Sequence, residues 1–397
     1  IYLSMQNKRI FKFDFSFAQK AGILTLSRFM KFFLPIFAYL ILKVYTFSAV
    51  INSVRDLVQP LVEIQKNGNG NKLAVDAWPK VADLPARHIP ELLEAMNRAN
   101  SLGDNWIRAA ISKISDNRDS TLPVDEVIQF LNNYSNHADS RVEAFRLIQS
   151  IYPNRAELLI PSFLDDPVMA LRREAVTKKL SAAKKETNKS DRINLYNDAL
   201  SKAREVDQIT EASNALEADG VTVNMTDLMG FMINWQTIGP FDNTERKGFN
   251  FIYPPELKIN YNATYKGKND SVKWSPLSTK DELGLININE QYGEIKEVAA
   301  YAHAQFGSKK NANVQFRIGS KNAWKLWVNG KMLFGRDEYH RGKTRIDQFV
   351  IDGKLKEGSN DILIKVCQNE QTQSWTKQWE FNFRITDQEG TAIHSVN

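Results

Sequence analysis

The side chains best suited to ligand chemistry gather toward the C-terminus. Tyr339, His340 and Arg341 lie in the polar stretch 335–342, and Trp375 and Trp379 lie in or beside predicted loops farther on. Asn369 and Glu370, followed by Gln371, add amide and carboxylate groups. Carbohydrate recognition needs this mixture: an aromatic face for the apolar side of a pyranose and polar groups for its hydroxyls. Loops carried by a rigid scaffold commonly hold such sites. The same aromatics could instead cover a core, where their large apolar area does most good. Arg341 could equally pair with Asp337 or Glu338. Trp327 belongs to the same candidate set but lies on a strand, sharing a face with Lys325 while Leu326 and Val328 share the other.

Catalytic chemistry is poorly served. The five histidines (His88, His137, His303, His340 and His394) have no metal-ligand spacing. No Gly-x-Ser-x-Gly nucleophile elbow and no phosphate loop occurs. Asp165-Asp166 reads as helix capping, and Glu256 after Pro254-Pro255 is an isolated acid of the kind usually found at a surface or cap. The expectation is a protein that is not an enzyme and uses no metal or cofactor. Cys367 is the only cysteine and ends the apolar run Ile362-Leu363-Ile364-Lys365-Val366-Cys367, so it reads as a buried structural thiol and no intrachain disulfide can form.

The elements that must position these groups are short strands. Trp324-Lys325-Leu326-Trp327-Val328 runs into Asn329-Gly330, a strong hairpin signal because a type I′ turn needs positive φ at both central residues. Gly358-Ser359-Asn360 opens the apolar strand that ends at Cys367. Further runs at 231–238, 298–306, 314–318, 346–351 and 379–385 alternate without intervening helices. Many such strands predict an antiparallel sandwich over 225–397.

Residues 50–224 have a different period. Ile89, Leu92, Leu93 and Met96 fall on one helical face, as do Val124, Val127, Ile128 and Leu131, and Tyr196, Ala199, Leu200 and Ala203. Polar breaks such as Gly103-Asp104-Asn105 and Asn136-His137-Ala138-Asp139 separate them. The spacing predicts five helix pairs at 54–82, 88–118, 122–151, 154–182 and 190–218. Three segments share a weak repeat: Asp104-Asn105-Trp106-Ile107-Arg108-Ala109-Ala110, Asp139-Ser140-Arg141-Val142-Glu143-Ala144-Phe145, and Asp165-Asp166-Pro167-Val168 running on to Leu171-Arg172-Arg173-Glu174-Ala175-Val176. In each, an acidic or polar residue is expected to cap a helix, and an Arg precedes small and apolar residues facing the stack. Such stacked pairs form an α-solenoid, whose concave face binds a protein or which serves as a spacer.

The formal charge of +6 does not point to an anionic polymer. Residues 1–49 hold seven basic residues (Lys8, Arg9, Lys12, Lys20, Arg28, Lys31 and Lys43) against Asp14 alone, so the remainder is neutral and nucleic-acid binding is not expected. Met30-Lys31 followed by the apolar run 32–42 and Thr46-Phe47-Ser48-Ala49 reads as a secretory signal peptide. The run is short for a membrane span of about 20 residues. A periplasmic or secreted protein follows, with no stable membrane insertion after cleavage. The hydrophobic content of 43% and charged content of 25% suit a globular chain of two or three domains.

The third helical segment resembles a HEAT repeat. The strand–Asn-Gly–loop–Gly-x-Asn–strand order at 326–330 and 358–366 resembles the galactose-binding-like jelly roll, found as a sugar-binding accessory domain of large glycosidases. Most of the chain after the leader is similar to uncharacterised, secreted bacterial HEAT-repeat proteins with a C-terminal jelly-roll domain. The resemblance rests on Asn105-Trp106-Ile107-Arg108, Leu164-Asp165-Asp166-Pro167, Leu171-Arg172-Arg173-Glu174, residues 235–243, Tyr253-Pro254-Pro255-Glu256, residues 324–330, Tyr339-His340-Arg341-Gly342 and Val366-Cys367-Gln368-Asn369. It implies architecture and brings no established activity. The expected organisation is a leader and extension over 1–49, a HEAT-like α-solenoid over 50–224 and a jelly-roll β-sandwich over 225–397. The expected function is non-catalytic recognition of carbohydrate or cell-envelope glycan, the alternative being a protein-interaction scaffold that binds no sugar.

Overall fold

The computed structural model describes residues 54–116 and 121–396. The expected signal peptide lies outside the described residues. The chain is helical in its N-terminal half and built of antiparallel sheets in its C-terminal half. It divides into two compact units, residues 1–153 and 154–397. The change from helix to strand comes later, between Met229 and Asn234.

The first unit contains α1 (residues 54–62), α2 (Asn71–Ala82), α3 (Ile89–Met96), α4 (Ser101–Ser115), α5 (Val124–Leu131) and α6 (Ala138–Ile151). Each of the first three expected intervals holds two helices. Helix α3 packs on α4, α5 and α6, and α2 on α4, so neighbouring pairs share a core. Leu92, Leu93, Ile107, Ile111, Val127 and Ile148 fill it. The expected break at Gly103 is instead inside α4. Asn100 caps that helix, its Oδ1 accepting from the backbone of Leu102 and Gly103, while Asp104 is buried within the first turn. Gly103 is needed because a Cβ there would sit 2.6 Å from the carbonyl oxygen of Leu61. Buried Arg141 uses its Nε to satisfy the Leu131 carbonyl at the end of α5, so its guanidinium closes one helix while standing on the next.

The second unit opens with α7 (Pro153–Leu159), α8 (Met169–Lys185), α9 (Lys189–Lys202), α10 (Val206–Ala218) and the short α11 (Met225–Met229). Pro167 precedes the start of α8, and Asp166 accepts from the Val168 amide. The lysines at the end of α8 pair with surface acids, Lys178 with Glu157 and Lys184 with Glu211, as a solvated helix end should.

Twelve strands follow: β1 (Asn234–Asp242), β2 (Thr264–Lys266), β3 (Ser271–Lys273), β4 (Ser275–Ser278), β5 (Ile286–Asn287), β6 (Val298–Ser308), β7 (Ala312–Gly319), β8 (Ala323–Val328), β9 (Lys331–Arg336), β10 (Phe349–Leu355), β11 (Gly358–Gln368) and β12 (Glu380–Thr386). One sheet has the order β4-β1-β6-β11-β8-β9 and the other β10-β7-β12-β5; β2 and β3 form a hairpin. The two larger sheets enclose a common core. Trp324, Leu326, Ile362, Ile364 and Val366 come from one, and Phe316, Ile318, Phe383 and Ile385 from the other. Asn329 (φ 52°) and Gly330 (φ 76°) make the expected turn, pairing Val328 with Lys331. Asn360 is fully buried and bonds the Lys356 amide and the Lys356 and Phe306 carbonyls, which explains its place at the start of β11. Strand β10 begins at Phe349, three residues after the expected start, because Asp347 (φ 53°) leaves the extended region.

The outer face of the six-stranded sheet carries a second apolar layer. Phe241, Tyr301, Trp327, Leu363 and Cys367 are covered by a strap, residues 244–274, through Phe249 and Val272. Cys367 is buried, and burial pushes its thiol up to about 12, so it remains the inert thiol expected.

Candidate functional site

The candidate loops meet at one end of the sandwich because Lys321, in the turn between β7 and β8, holds both. Its backbone carbonyl accepts the His340 N–H at 2.6 Å. Its ammonium donates to the Trp375 carbonyl at 2.8 Å and to Gln378 Oε1 at 2.6 Å. Lys296 reinforces the second loop through a 2.7 Å bond to the Thr376 carbonyl. Burial lowers the pKa of both ammonium groups, and the carbonyls replace the water they lose. The Gln368 amide adds bonds to the Lys377 and Gln378 carbonyls.

Within this clasp most expected ligand contacts are spent on the protein itself. His340 sits at φ 54°, and its Nε2 lies 3.0 Å from Asn369 Oδ1. Burial, followed by the charges of Lys296 and Lys321, pushes the imidazole down to about 4, so it is neutral near pH 7. Asn369 is buried, and its Oδ1 also accepts the Gln371 N–H. The Tyr339 hydroxyl accepts from Asn243 at 3.1 Å, and the Arg246 guanidinium lies 5.3 Å from its ring centroid. Burial raises the Tyr339 pKa, leaving the phenol protonated. Glu370 binds Arg246 through both oxygens, which lowers its pKa. Arg341 is exposed. Trp375 is 63% exposed although its main chain is fixed.

Two expected site residues lie elsewhere. Trp379 is 0% exposed within the sandwich core, its indole N–H donating to the Val366 carbonyl at 3.1 Å. It offers no face to a ligand, because it stands just before β12 and packs into the core. Trp327 is buried in the outer layer of the six-stranded sheet, where it packs on Tyr301 and offers no open face. Lys296, Lys321 and Arg246, which help build the clasp, belong to no motif; Asn243 ends the segment 235–243, but none of the four was expected at the site.

The isolated acid Glu256 is also placed differently from its expected surface or cap position. It lies within the strap and points toward the sheet, its side chain 9% exposed, 2.9 Å from the Lys365 ammonium and 2.5 Å from the Tyr301 hydroxyl. Lys365 also donates to the carbonyls of Phe249 and Phe251, and its side chain is 0% exposed. Burial lowers the Lys365 pKa; burial and the Glu256 charge raise that of Tyr301. The one visible signal was a lysine in an otherwise apolar strand.

Among the described residues, no cluster of three or more His, Cys, Asp or Glu side chains is arranged to hold a metal ion, and no helix is long and apolar enough to cross a membrane. Neither a scan against protein families nor a search of curated proteins gives a match to this chain.

Proposed function

We propose that this is a periplasmic or secreted, non-catalytic binding protein whose sandwich recognises carbohydrate or cell-envelope glycan. In this reading the helix pairs form a HEAT-like α-solenoid scaffold and the sheets a galactose-binding-like jelly roll. The repeated pairing of helices and the two-sheet core support that architecture. The leader-like sequence supports the compartment.

The observation that carries the binding reading is Trp375. A large aromatic is held open to solvent on a loop whose backbone is anchored by two ammonium groups. Such an indole loses little conformational entropy when a sugar ring stacks on it, and Arg341, exposed on the other loop of the clasp, offers a donor for hydroxyl or acidic substituents. A glycan array probed with the whole protein tests this. Binding should appear and weaken at least about fivefold in Trp375→Ala and Arg341→Ala, with folding unchanged. An array without hits, or hits insensitive to both changes, would count against it.

The second reading is a protein-interaction scaffold that binds no sugar. It is favoured by the internal use of the Tyr339 hydroxyl, His340 Nε2, Asn369 Oδ1 and the Glu370 carboxylate, which already have partners in the chain.

A further inference from the structure

The outer face of the six-stranded sheet holds a groove distinct from the loop clasp. Part of it, about 470 Å³, lies between the strap and strands β8, β11 and β6, with Trp327, Asp361 and Gln305 in its lining. A further part, about 400 Å³, continues over β6, β1 and β4, past Gln236 and Ser278. Tyr261, His303 and Gln305 line both parts, which adjoin at Tyr261. These are five consecutive strands of the sheet. At about 4.8 Å per strand the groove extends on the order of 19 Å across the strand direction.

His303 organises the centre. It is 1% exposed; its Nδ1 lies 2.5 Å from the Tyr261 hydroxyl, and its Nε2 lies 3.3 Å from Asp361 Oδ1. Nε2 nevertheless makes no hydrogen bond of good geometry. One ring nitrogen thus holds the Tyr261 hydroxyl from beneath, while the other faces the Asp361 carboxylate without a hydrogen bond and leaves that group free. Asp361 is left 48% exposed, and Gln305 is exposed beside it. Tyr261 is 45% exposed, with its ring braced edge-on by Trp274 and His303.

We infer that this groove binds a linear, neutral oligosaccharide, with Asp361, Gln305 and Gln236 meeting hydroxyls and Tyr261 and Leu257 meeting the apolar faces of the sugar rings. The inference does not depend on the loop clasp. A chain of sugars fits an elongated, open groove better than a single compact ligand does. A carboxylate beside neutral amides suits hydroxyl donors, and with Lys258 in the same lining balancing Asp361 the groove has no excess of positive charge to draw an anionic chain. An added peptide strand is disfavoured, because the groove crosses strands whose ladder groups are already paired on both sides.

Calorimetry on the whole protein tests this with cello-, manno-, xylo- and chitohexaose, their monosaccharides, and trigalacturonate as the anionic probe. At least one neutral hexaose should bind, its monosaccharide should bind at least tenfold more weakly, and Asp361→Ala and Gln305→Ala should each weaken the hexaose at least fivefold. Thermal unfolding of each variant controls for folding. The inference is overturned if no neutral hexaose binds, if chain length makes no difference, if both groove variants bind normally, or if trigalacturonate binds best. A hexaose lost in Trp375→Ala but kept in both groove variants would support the loop clasp and reject the groove.

Discussion

Lys365 brings an ammonium group beneath the strap, where Glu256 and the carbonyls of Phe249 and Phe251 receive it. All three donors of the ammonium therefore have partners, and Tyr301 supplies Glu256 with another. Removing one member of a buried pair strands the other, which costs more than the pair contributes when intact. Lys365→Met is expected to lower stability by about 3–5 kcal/mol, because Glu256 and two strap carbonyls lose their donor. Adding Glu256→Gln should recover part of that loss. Urea denaturation of the two variants is the check; a cost below about 1 kcal/mol for Lys365→Met would show that the pair is solvated. Sequence reading made Glu256 a surface or cap acid because its partner is 109 residues away, a separation no local pattern records.

At the level of elements, the two loops at the end of the sandwich behave as one body because Lys321 and Lys296 tie them to the β7–β8 turn and to the approach to β6. Their condition depends on pH through His340. Its folded value of about 4 lies below its ordinary 6.5. Above pH 6.5 both folded and unfolded states hold a neutral imidazole, and its stabilising contribution is fully present. As pH falls toward 4, the unfolded chain binds a proton that the folded loop refuses, and stability declines. His303, also depressed by burial, acts in the same direction. His340→Gln should therefore flatten the loss of stability between pH 6.5 and 4 by about 1–2 kcal/mol, after allowance for screening at this half-buried site. Denaturation curves at pH 7 and pH 4.5 would show it; an identical pH slope in the variant would contradict the assignment. The loops themselves were legible from Gly, Asn and charged residues. Their mutual clasp was not, since Lys321 and Lys296 look like ordinary surface lysines in the sequence.

At the scale of the molecule, the residues between α7 and α11 belong to the same compact unit as the sandwich. Met225, Met229 and Phe231 close the core formed by α8, α9 and α10, and Ile346 from the sandwich packs against it. Arg172 binds Glu389, Arg204 binds Thr391, and Arg384 donates to the Met229 carbonyl. Arg384 also shares Asp347, its side chain 12% exposed, with Arg317. Burial alone would raise the Asp347 pKa, but the bond and charge of Arg384, then Arg317, hold it below the ordinary carboxylate value. A fragment 154–397 should consequently unfold in one cooperative transition. A fragment 225–397 exposes the Met225, Met229 and Phe231 surface and should melt at least about 10 °C lower or aggregate. Calorimetry of the two fragments decides; equal melting temperatures would mean that the helices contribute nothing to the sandwich.

The sequence by itself determined the elements. The periodicity of Leu92, Leu93 and Val127 located helix pairs, and Asn329-Gly330 located a hairpin, because both signals depend on neighbours a few residues apart. It also made Cys367 a buried thiol, since the residue continues an apolar strand. Only the tertiary structure decided which aromatics face a ligand. Trp375 and Trp379 are four residues apart, yet one is open to solvent and the other lies in the core. Trp327 was left with an undecided face because it points away from the sandwich core but toward a second layer. That layer is made by a strap some 60 residues earlier in the chain. The same holds for Tyr261, His303 and Asp361: strand pairing and the return of the strap bring them together, while no spacing in the sequence marks them as a group.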